Sequence, residues 1–315
     1  MLKRICLVLF CFFIVGVANS FAVSEEAQSA IDVLKSTSTA ERRRAAAELA
    51  RLRSRESVPA LIEALKDKDF GVRAGAAEAL GNLRDRRAVE PLIKKLKDKD
   101  LTVRTSALIA LGFIRDINAV KPVVEVLRKD DNISVKISAA QVLGVLGHNS
   151  SVKPLINILS DKDERLRAQA ARSLGKLRAD SAAGPLSKIA GNKKAEIKVR
   201  KAAIEALGEI KTAESLEILG NLIESDNEDI AVNAAASLGK LGEDGGIDVA
   251  IKGIDSEYTE IRRQAVLALS YIGIKDERVV EALRKAVNDD DPRVKRVAEF
   301  VVNSMKIDLS EGEDE

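Results

Sequence analysis

The segment "VRAGAAEALGNL", Val72 to Leu83, decides the fold because its pattern returns along the whole chain. It has the composition of an amphipathic helix, except that Gly81 stands where a glycine costs about 1 kcal/mol relative to alanine. The pattern next appears as "VRTSALIALGFI", Val103 to Ile114, with Gly112 in the same place. Such a repeat is typical of proteins built from stacked helical modules.

Aligning the chain on Val72 gives nine segments spaced by 31 to 33 residues. Positions are numbered from this first residue, so Val72 is position 0 and Gly81 is position 9. Position 4 is alanine in every segment, and position 8 is leucine in the first eight. Positions 0, 4, 8 and 11 share one face of an α-helix, and all of them are apolar except Glu41 at position 0 of the first segment. Every segment therefore predicts a helix with a buried face, which we call helix B. The alanines are Ala45, Ala76, Ala107, Ala139, Ala170, Ala203, Ala234, Ala265 and Ala298.

A second, shorter apolar period precedes each helix B, as in "VEPLIKKL" and "VKPLINIL". Prolines such as Pro91 and Pro154 recur at its start, where a proline is tolerated because its missing N–H would have no partner in a first helical turn. Most repeats carry Asp or Asn three residues before position 0, and these residues are good helix N-caps. Each repeat therefore predicts a helix A, a tight turn and a helix B. No segment after residue 22 is typical of a β-strand.

The unit "DKDFGVRAGAAEALGNLRDRRAVEPLIKKLKDKD", residues 67–100, resembles the short HEAT-like repeat first named for phycobilisome lyase subunits. The resemblance covers residues 24 to 307. It implies an all-α fold, a right-handed α-solenoid of about nine two-helix repeats with helices B lining a concave surface. The small residues at positions 4 and 9 would let neighbouring helices approach closely, which offsets the cost of the glycines.

The first 22 residues, "MLKRICLVLFCFFIVGVANSFA", have the layout of a secretory signal peptide. The apolar run Ile5–Ala18 is shorter than the roughly 20 residues that span a bilayer, and small residues that suit cleavage follow it. We therefore expect a signal peptide at 1–22, a repeat solenoid at 23–307 and an acidic disordered tail at 308–315. The protein would be exported, to a periplasm or the medium, with no membrane span after leader cleavage. The alternative is an uncleaved leader that anchors it in the membrane.

Cleavage would leave little material for catalysis or nucleic-acid binding. Cys6 and Cys11, the only cysteines, leave with the leader, so no disulfide and no thiolate remains. The loss of Lys3 and Arg4 leaves 49 basic residues against 49 acidic ones. Nucleic-acid binders usually carry a basic excess and often stack bases on aromatic rings, whereas this chain has no Trp.

His148 is the only histidine, and it follows a helix B at a place where other repeats carry Asp. A single histidine without cysteine cannot form a multi-histidine metal site. Some HEAT-like proteins resemble deoxyhypusine hydroxylase, which holds iron with paired His-Glu motifs. Here Asn149 follows His148 and no second motif exists, so that activity is not expected. We predict no catalytic residue, no metal and no cofactor.

Position 1 of helix B is basic in eight of the nine repeats, and this column has two interpretations. It can form a cationic strip for an acidic ligand, or a ladder of ion pairs with the acidic turns between helices A and B. The neighbouring acidic column favours the ladder, with about 0–1 kcal/mol expected for each exposed pair. The basic residues are Arg42, Arg73, Arg104, Lys136, Arg167, Arg200, Arg262 and Lys295.

Positions 2, 6 and 10 point away from the buried face of helix B and should line the concave surface. Most are polar or small, such as Ala74, Glu78 and Ala168, but some repeats carry large apolar residues. Contiguous exposed apolar patches often mark interaction sites, and aromatic anchors carry much of an interface's energy. The alternative is that curvature buries these side chains against adjacent B helices. The candidates are Ile109, Phe113, Ile137 and Val145 in a middle zone, and Leu267, Tyr271 and Phe300 in a second zone near the end.

The leading hypothesis is a non-catalytic scaffold that binds a protein or peptide partner on its concave face. The alternative is an accessory subunit of a modifying enzyme, which the resemblance to lyase subunits implies. Nucleic-acid binding is disfavoured by the zero net charge.

Overall fold

The computed structural model describes residues 24–309, which form α-helices and short 3₁₀ turns without any strand. The α-helices, numbered α1 to α18 in chain order, alternate between helix A (odd numbers) and helix B (even numbers). The prediction of an all-α fold with nine two-helix repeats is confirmed. The A helices are Glu25–Val33, Val58–Ala64, Val89–Lys95, Val120–Lys129, Val152–Ile158, Ala183–Gly191, Ala213–Leu222, Ile247–Gly253 and Glu277–Val287. The B helices are Thr39–Leu52, Phe70–Leu83, Leu101–Ile114, Ile133–Leu146, Glu164–Lys176, Ile197–Leu207, Glu228–Leu241, Thr259–Ile272 and Pro292–Met305.

Polar N-caps fix where most B helices begin. The Asp69 carboxylate accepts a hydrogen bond from the Val72 amide, and the Asn132 side chain accepts from the Ser134 and Val135 amides. An N-cap oxygen satisfies a helix N–H group that has no partner inside the helix. The predicted capping is therefore confirmed at these turns, whereas Glu196 lies at the N-cap of α12 without a side-chain bond.

The chain divides into two units, one ending at Val126 and the other beginning at Leu127. In unit 1, α2 packs against α4 and α4 packs against α6, while each helix A packs against the helix B of its own repeat. Position 4 is buried throughout unit 1, as at Ala76 and Ala107. Unit 1 is thus a stack of B helices in sequence order with A helices along it.

Unit 2 follows the same rule, because α8, α10, α12, α14 and α16 each pack against the next B helix, as far as α18. Its last repeats share a core that includes Val266, Leu269, Leu283 and Val301. Packing of each repeat against only its neighbours is the arrangement expected of an α-solenoid.

The glycines at position 9 lie where consecutive B helices touch. A Cβ atom on Gly144 would lie 2.9 Å from the Cβ of Ser173, and one on Gly175 would lie 2.8 Å from the Cα of Ala206. Ser173 and Ala206 both occupy position 7 of the next repeat. Ser173 also donates a hydrogen bond of 2.8 Å to the carbonyl of Ala140, which ties α10 to α8. The explanation of these glycines as close-packing positions is confirmed.

The predicted signal peptide and residues 310–315 of the predicted tail lie outside the described residues. Within residues 24–309, no helix combines the length and the apolar character needed to cross a membrane.

Candidate interaction surface

In unit 1, the exposed face of α6 carries a line of large apolar side chains. Leu101, Ile109 and Phe113 are 47%, 46% and 45% exposed. They occupy positions −2, 6 and 10, so they follow one another along a single side of the helix. Two predicted contact residues, Ile109 and Phe113, are therefore accessible rather than buried by curvature.

Phe113 also lies beside the close contact between α4 and α6. Its ring atom Cδ2 is 3.4 Å from the place where a Cβ on Gly81 would stand. The absence of a side chain at Gly81 therefore leaves room for one edge of the ring, while the rest of the ring faces solvent. The ring of the candidate contact residue Phe113 therefore lies against the space that a side chain at Gly81 would occupy.

In unit 2, the candidates differ in exposure. Tyr271 is 41% exposed and Phe300 is 69% exposed. Ile137, Val145 and Leu267 are half-buried. The three half-buried residues can contribute only part of their side chains to a partner, whereas Phe300 is mostly accessible and Tyr271 is accessible over about two fifths of its surface.

Tyr271 lies at one end of an open groove on the B helices of unit 2. The groove has a volume of about 890 Å³. The ammonium of Lys240 stands 5.1 Å from the centre of the Tyr271 ring, a distance typical of a cation–π contact. Lys240 is also 3.2 Å from the Glu209 carboxylate. The lining residues are Arg178, Asp180, Gly208, Glu209, Lys211, Gly239, Lys240, Leu241, Ser270 and Tyr271.

The expectation that Ala74 and Ala168 line a solvated surface is wrong. Ala74 and Ala168 are buried, as are Val232 and Ala236 at positions 2 and 6 of the seventh repeat. The alanine methyl groups do not extend past the packed helix backbone, so solvent does not reach them. Val232 and Ala236 are buried for another reason: they belong to the core of unit 2, where Val232 packs against Gly253 of the adjacent helix A.

Sequence reasoning also missed six exposed apolar residues, which are Val33, Phe70, Leu101, Ile117, Ile197 and Tyr258. Leu101 extends the predicted line on α6 by one turn towards its N-terminus, and counting back from position 2 to position −2 would have found it. Phe70 occupies the same position in α4, and Arg43 stands 5.3 Å from its ring centre. Ile117 and Tyr258 lie in the turns between helices, where the helical period carries no information.

The basic column forms a ladder between repeats, as the ion-pair interpretation expected. Arg73 donates to both oxygens of Asp98, at 2.8 and 2.7 Å, and to the carbonyls of Asp67 and Lys68. Burial acts to raise the pKa of Asp98, but the hydrogen bonds from Arg73 and from the Asp100 amide, together with the positive charges of Arg73 and Lys95, hold the pKa below its usual range. Arg42 bonds Asp67, and Arg262 bonds Asp289, in the same way.

Two expectations about this column need correction. The pairs are not exposed, because the side chains of Arg73 and Asp98 are only 6% and 7% accessible. Breaking a buried pair costs more than breaking a surface pair. The ladder is also incomplete, since Arg200 is buried and donates to the Ala190 carbonyl with no carboxylate. Ser225 occupies the position, five residues before position 0, that Asp67 and Asp98 occupy in their repeats. Burial lowers the pKa of Arg200.

His148 serves as an N-cap. Its Nδ1 atom accepts from the Ser150 amide at 3.2 Å, at the start of the 3₁₀ turn Asn149–Ser151. Asp85 and Asp116 cap the equivalent turns. Within residues 24–309, no three His, Cys, Asp or Glu side chains are grouped as they would be around a metal ion.

Repeated helical hairpins whose B helices pack in sequence order define an α-solenoid repeat protein. The sequence pattern of HEAT repeats matches residues 27–112, 72–144, 120–198 and 189–270, and that of the PBS lyase HEAT-like repeat matches residues 261–289. The chain therefore belongs to the HEAT-repeat family. No curated protein sequence matches it significantly.

Several solved structures are similar to the chain. One is the complex of CpcE and CpcF of phycocyanin lyase from a Nostoc species, with 22% identity and a TM-score of 0.46 over 80% of this chain and 95% of that one. Another is an engineered protein, with 22% identity and a TM-score of 0.44 over 89% of this chain and 88% of that one. Human deoxyhypusine hydroxylase has 17% identity and a TM-score of 0.38, covering 82% and 99%.

Proposed function

We propose that this HEAT-repeat protein is a non-catalytic scaffold whose B helices bind a protein or peptide partner. The observation that carries the proposal is the accessibility of Ile109 and Phe113 in unit 1 and of Tyr271 and Phe300 in unit 2. Exposed aromatic rings beside polar groups are the kind of anchor that carries most of a protein interface's energy. Ile137, Val145 and Leu267 would add contact area around them.

The residues of this surface suit binding better than chemistry. The groove beside Tyr271 offers lysine, arginine, aspartate, glutamate and small residues, and two of its charges, Lys240 and Glu209, form an ion pair. Among the described residues that line the groove, no nucleophile is hydrogen-bonded to a base, which acyl or phosphoryl transfer would require. We therefore propose that the protein is not itself an enzyme and needs no cofactor. The second candidate, an accessory subunit of a modifying enzyme, uses the same surface to hold that enzyme.

We further propose that the protein is exported and meets its partner in the periplasm or outside the cell, with residues 1–22 as its leader. The zero charge of the cleaved chain supports a protein partner over a nucleic acid. Determining the N-terminal residue of the protein purified from cell envelopes tests this point. A start at Phe21 or Val23 supports export, whereas an intact Met1 in the cytoplasm contradicts it.

The binding proposal is tested by photo-crosslinking on the native envelope, with the crosslinking residue at Glu78, on the polar part of the same face. We expect a discrete adduct with the wild type, and loss of that adduct in Phe113→Ala or Tyr271→Ala. Lys176→Ala is the matched control and should keep the adduct, because Lys176 is exposed and occupies the same position 10 in the fifth repeat but is not apolar.

Unfolding curves decide between a contact role and a structural role. Phe113→Ala should unfold like the wild type, whereas Leu111→Ala, which empties a fully buried site, should lose about 2–5 kcal/mol. A large loss of stability in Phe113→Ala would show that the ring belongs to the core. Co-purification of a modifying enzyme with the wild type would favour the accessory-subunit alternative.

A further inference from the structure

The residue that follows helix B, at position 12, has left-handed backbone in most repeats. In unit 2, glycine fills this place three times, at Gly147, Gly242 and Gly273, and Arg178 and Lys306 are the two other residues with left-handed backbone there. In unit 1, every repeat has an arginine there instead, and these residues with their φ angles are Arg53 at 51°, Arg84 at 51° and Arg115 at 56°. A left-handed conformation is strained for any residue that carries a Cβ atom. Unit 1 therefore keeps three strained arginines where glycine would fit without strain.

Favourable interaction with the helix dipole does not by itself require these arginines. A cation near a helix C-terminus is stabilising, but it can stand in the last helical turn without left-handed backbone. Lys176 and Lys240 do so in α10 and α14. Strained residues that persist in a structure are often associated with function. We therefore associate the strained backbone with a function, which is to hold these guanidinium groups outside the helix.

The loops from helix B to the next helix A in unit 1 carry a charge excess. They contain six arginines against three carboxylates, Glu56, Asp85 and Asp116. Arg87 pairs with Asp85 at 2.7 Å, and Arg86 lies 3.6 Å from Asp116. Within the described part of the chain, Arg53, Arg55, Arg84 and Arg115 are exposed and form no ion pair. Unit 1 therefore presents a row of uncompensated guanidinium groups, called the arginine row and consisting of Arg53, Arg84 and Arg115, with Arg55 beside it.

Large apolar side chains stand next to one end of the arginine row. Phe113 and Ile117, two residues before and after Arg115, are 45% and 61% exposed. A polysaccharide or a nucleic-acid backbone would use the charges but not the aliphatic group of Ile117. A peptide that combines carboxylates with apolar side chains would use both, because guanidinium groups bind carboxylates with paired hydrogen bonds.

We propose that the arginine row of unit 1 binds an extended acidic peptide segment whose carboxylates meet Arg53, Arg84 and Arg115 in order, with an apolar side chain against Phe113 and Ile117. Packed helices stand about 8–10 Å apart, and an extended chain in the polyproline II conformation rises about 3.1 Å per residue with three residues per turn, so every third side chain lies on the same side about 9 Å further on. Acidic residues at every third position of the peptide therefore match the spacing of the row. This inference rests on the proposed function in one respect, that the partner is a protein. It specifies in addition that the bound segment is acidic and carries an apolar side chain.

The test uses the purified full chain and a fluorescein-labelled synthetic peptide with glutamate at every third position and a leucine pair at the end expected to meet Phe113. We expect saturable binding, weakened about tenfold or more in the double variant Arg84→Gly Arg115→Gly, and weaker still at high salt. The thermal midpoint of this variant should equal or exceed that of the wild type, because glycine relieves the left-handed strain.

Arg178→Gly provides a matched control, since Arg178 is also basic, exposed and left-handed, with φ 47°, but lies in unit 2. It should leave peptide binding unchanged. Equal loss of binding in Arg178→Gly, equal binding of a peptide with adjacent glutamates, or equal competition by a heparin fragment of the same charge would each overturn the proposal. If the acidic peptide fails to bind while Phe113-dependent crosslinking persists, the arginine row is refuted and the scaffold proposal stands.

Discussion

Gly81 and Ala110 touch so closely that no side chain fits between them: a Cβ atom on Gly81 would lie 2.7 Å from the Cα of Ala110. Gly81 is position 9 of α4 and Ala110 is position 7 of α6, so this contact joins consecutive repeats. The same pairing recurs between Gly208 and Ser237 in unit 2, at 2.8 Å. Repeat stacking in both units therefore depends on a backbone surface that bears no side chain.

Gly81→Ala should destabilise the protein, although alanine is the better helix former. The methyl group would force α4 and α6 apart, and such overpacking costs about 1–3 kcal/mol against a propensity gain of about 1 kcal/mol. Gly220→Ala is the control, because Gly220 is also helical and has no neighbour within 4 Å of its would-be Cβ. Urea unfolding should show a gain for Gly220→Ala and a loss for Gly81→Ala. A gain in both would mean that the stack tolerates a wider spacing.

Arg73→Ala should cost about 3 kcal/mol of unfolding free energy. The change removes the two hydrogen bonds from the guanidinium to the buried Asp98 carboxylate, which keeps only Lys95 as a cation at 3.6 Å, and it leaves the carbonyls of Asp67 and Lys68 without this donor. Arg263→Ala is a control on a local, more exposed pair with Glu260 within α16 and should cost about 1 kcal/mol or less. Denaturation of both variants measures the difference, and similar losses would contradict the importance of burial.

Ser225→Asp should stabilise unit 2 by about 1 kcal/mol. It places a carboxylate in the register of Asp98, where the buried guanidinium of Arg200 has no acidic partner. The gain should vanish in the Arg200→Met background, which a double-mutant cycle measures. A gain of the same size in the Arg200→Met background would show that the new carboxylate acts on the N-terminus of the following helix instead of on Arg200.

Acid should weaken the protein between about pH 4 and pH 2. Hydrogen bonds from Arg43 lower the pKa of Asp69 to about 2, and those from Arg165 lower the pKa of Asp163 to about 2, from an ordinary value of 3.8. Because the folded pKa is lower than the unfolded one, the stabilisation is complete above pH 4 and is lost as the pH falls towards 2.

Urea unfolding at a series of pH values in this range should show the decline, and Asp163→Asn should make it shallower. Asparagine keeps the capping oxygen, as Asn132 does in α8, but does not titrate. An unchanged slope in Asp163→Asn would show that Asp163 is not ion-paired in solution.

The sequence by itself determined the repeat, the two-helix unit and the buried face of helix B. The period of Val72 and Val103 and the alanines at position 4 sufficed, because a helix repeats its surface about every 3.6 residues and a stack buries the same positions in each module. The capping residues followed from local backbone chemistry, and the glycines at position 9 were inferred to be close-packing positions because they recur in spite of their cost to the helix.

Only the tertiary structure decided which polar groups are buried and which apolar groups are not. Arg73 and Asp98 form a buried pair because they lie in successive repeats and meet only when those repeats stack. Phe113 remains accessible while Ala74 does not, because exposure depends on how far a side chain extends past its neighbours. The left-handed backbone of Arg84 was likewise seen only where the structure shows how its helix ends. Contacts between repeats depend on how the repeats stack, which a local stretch of sequence does not specify.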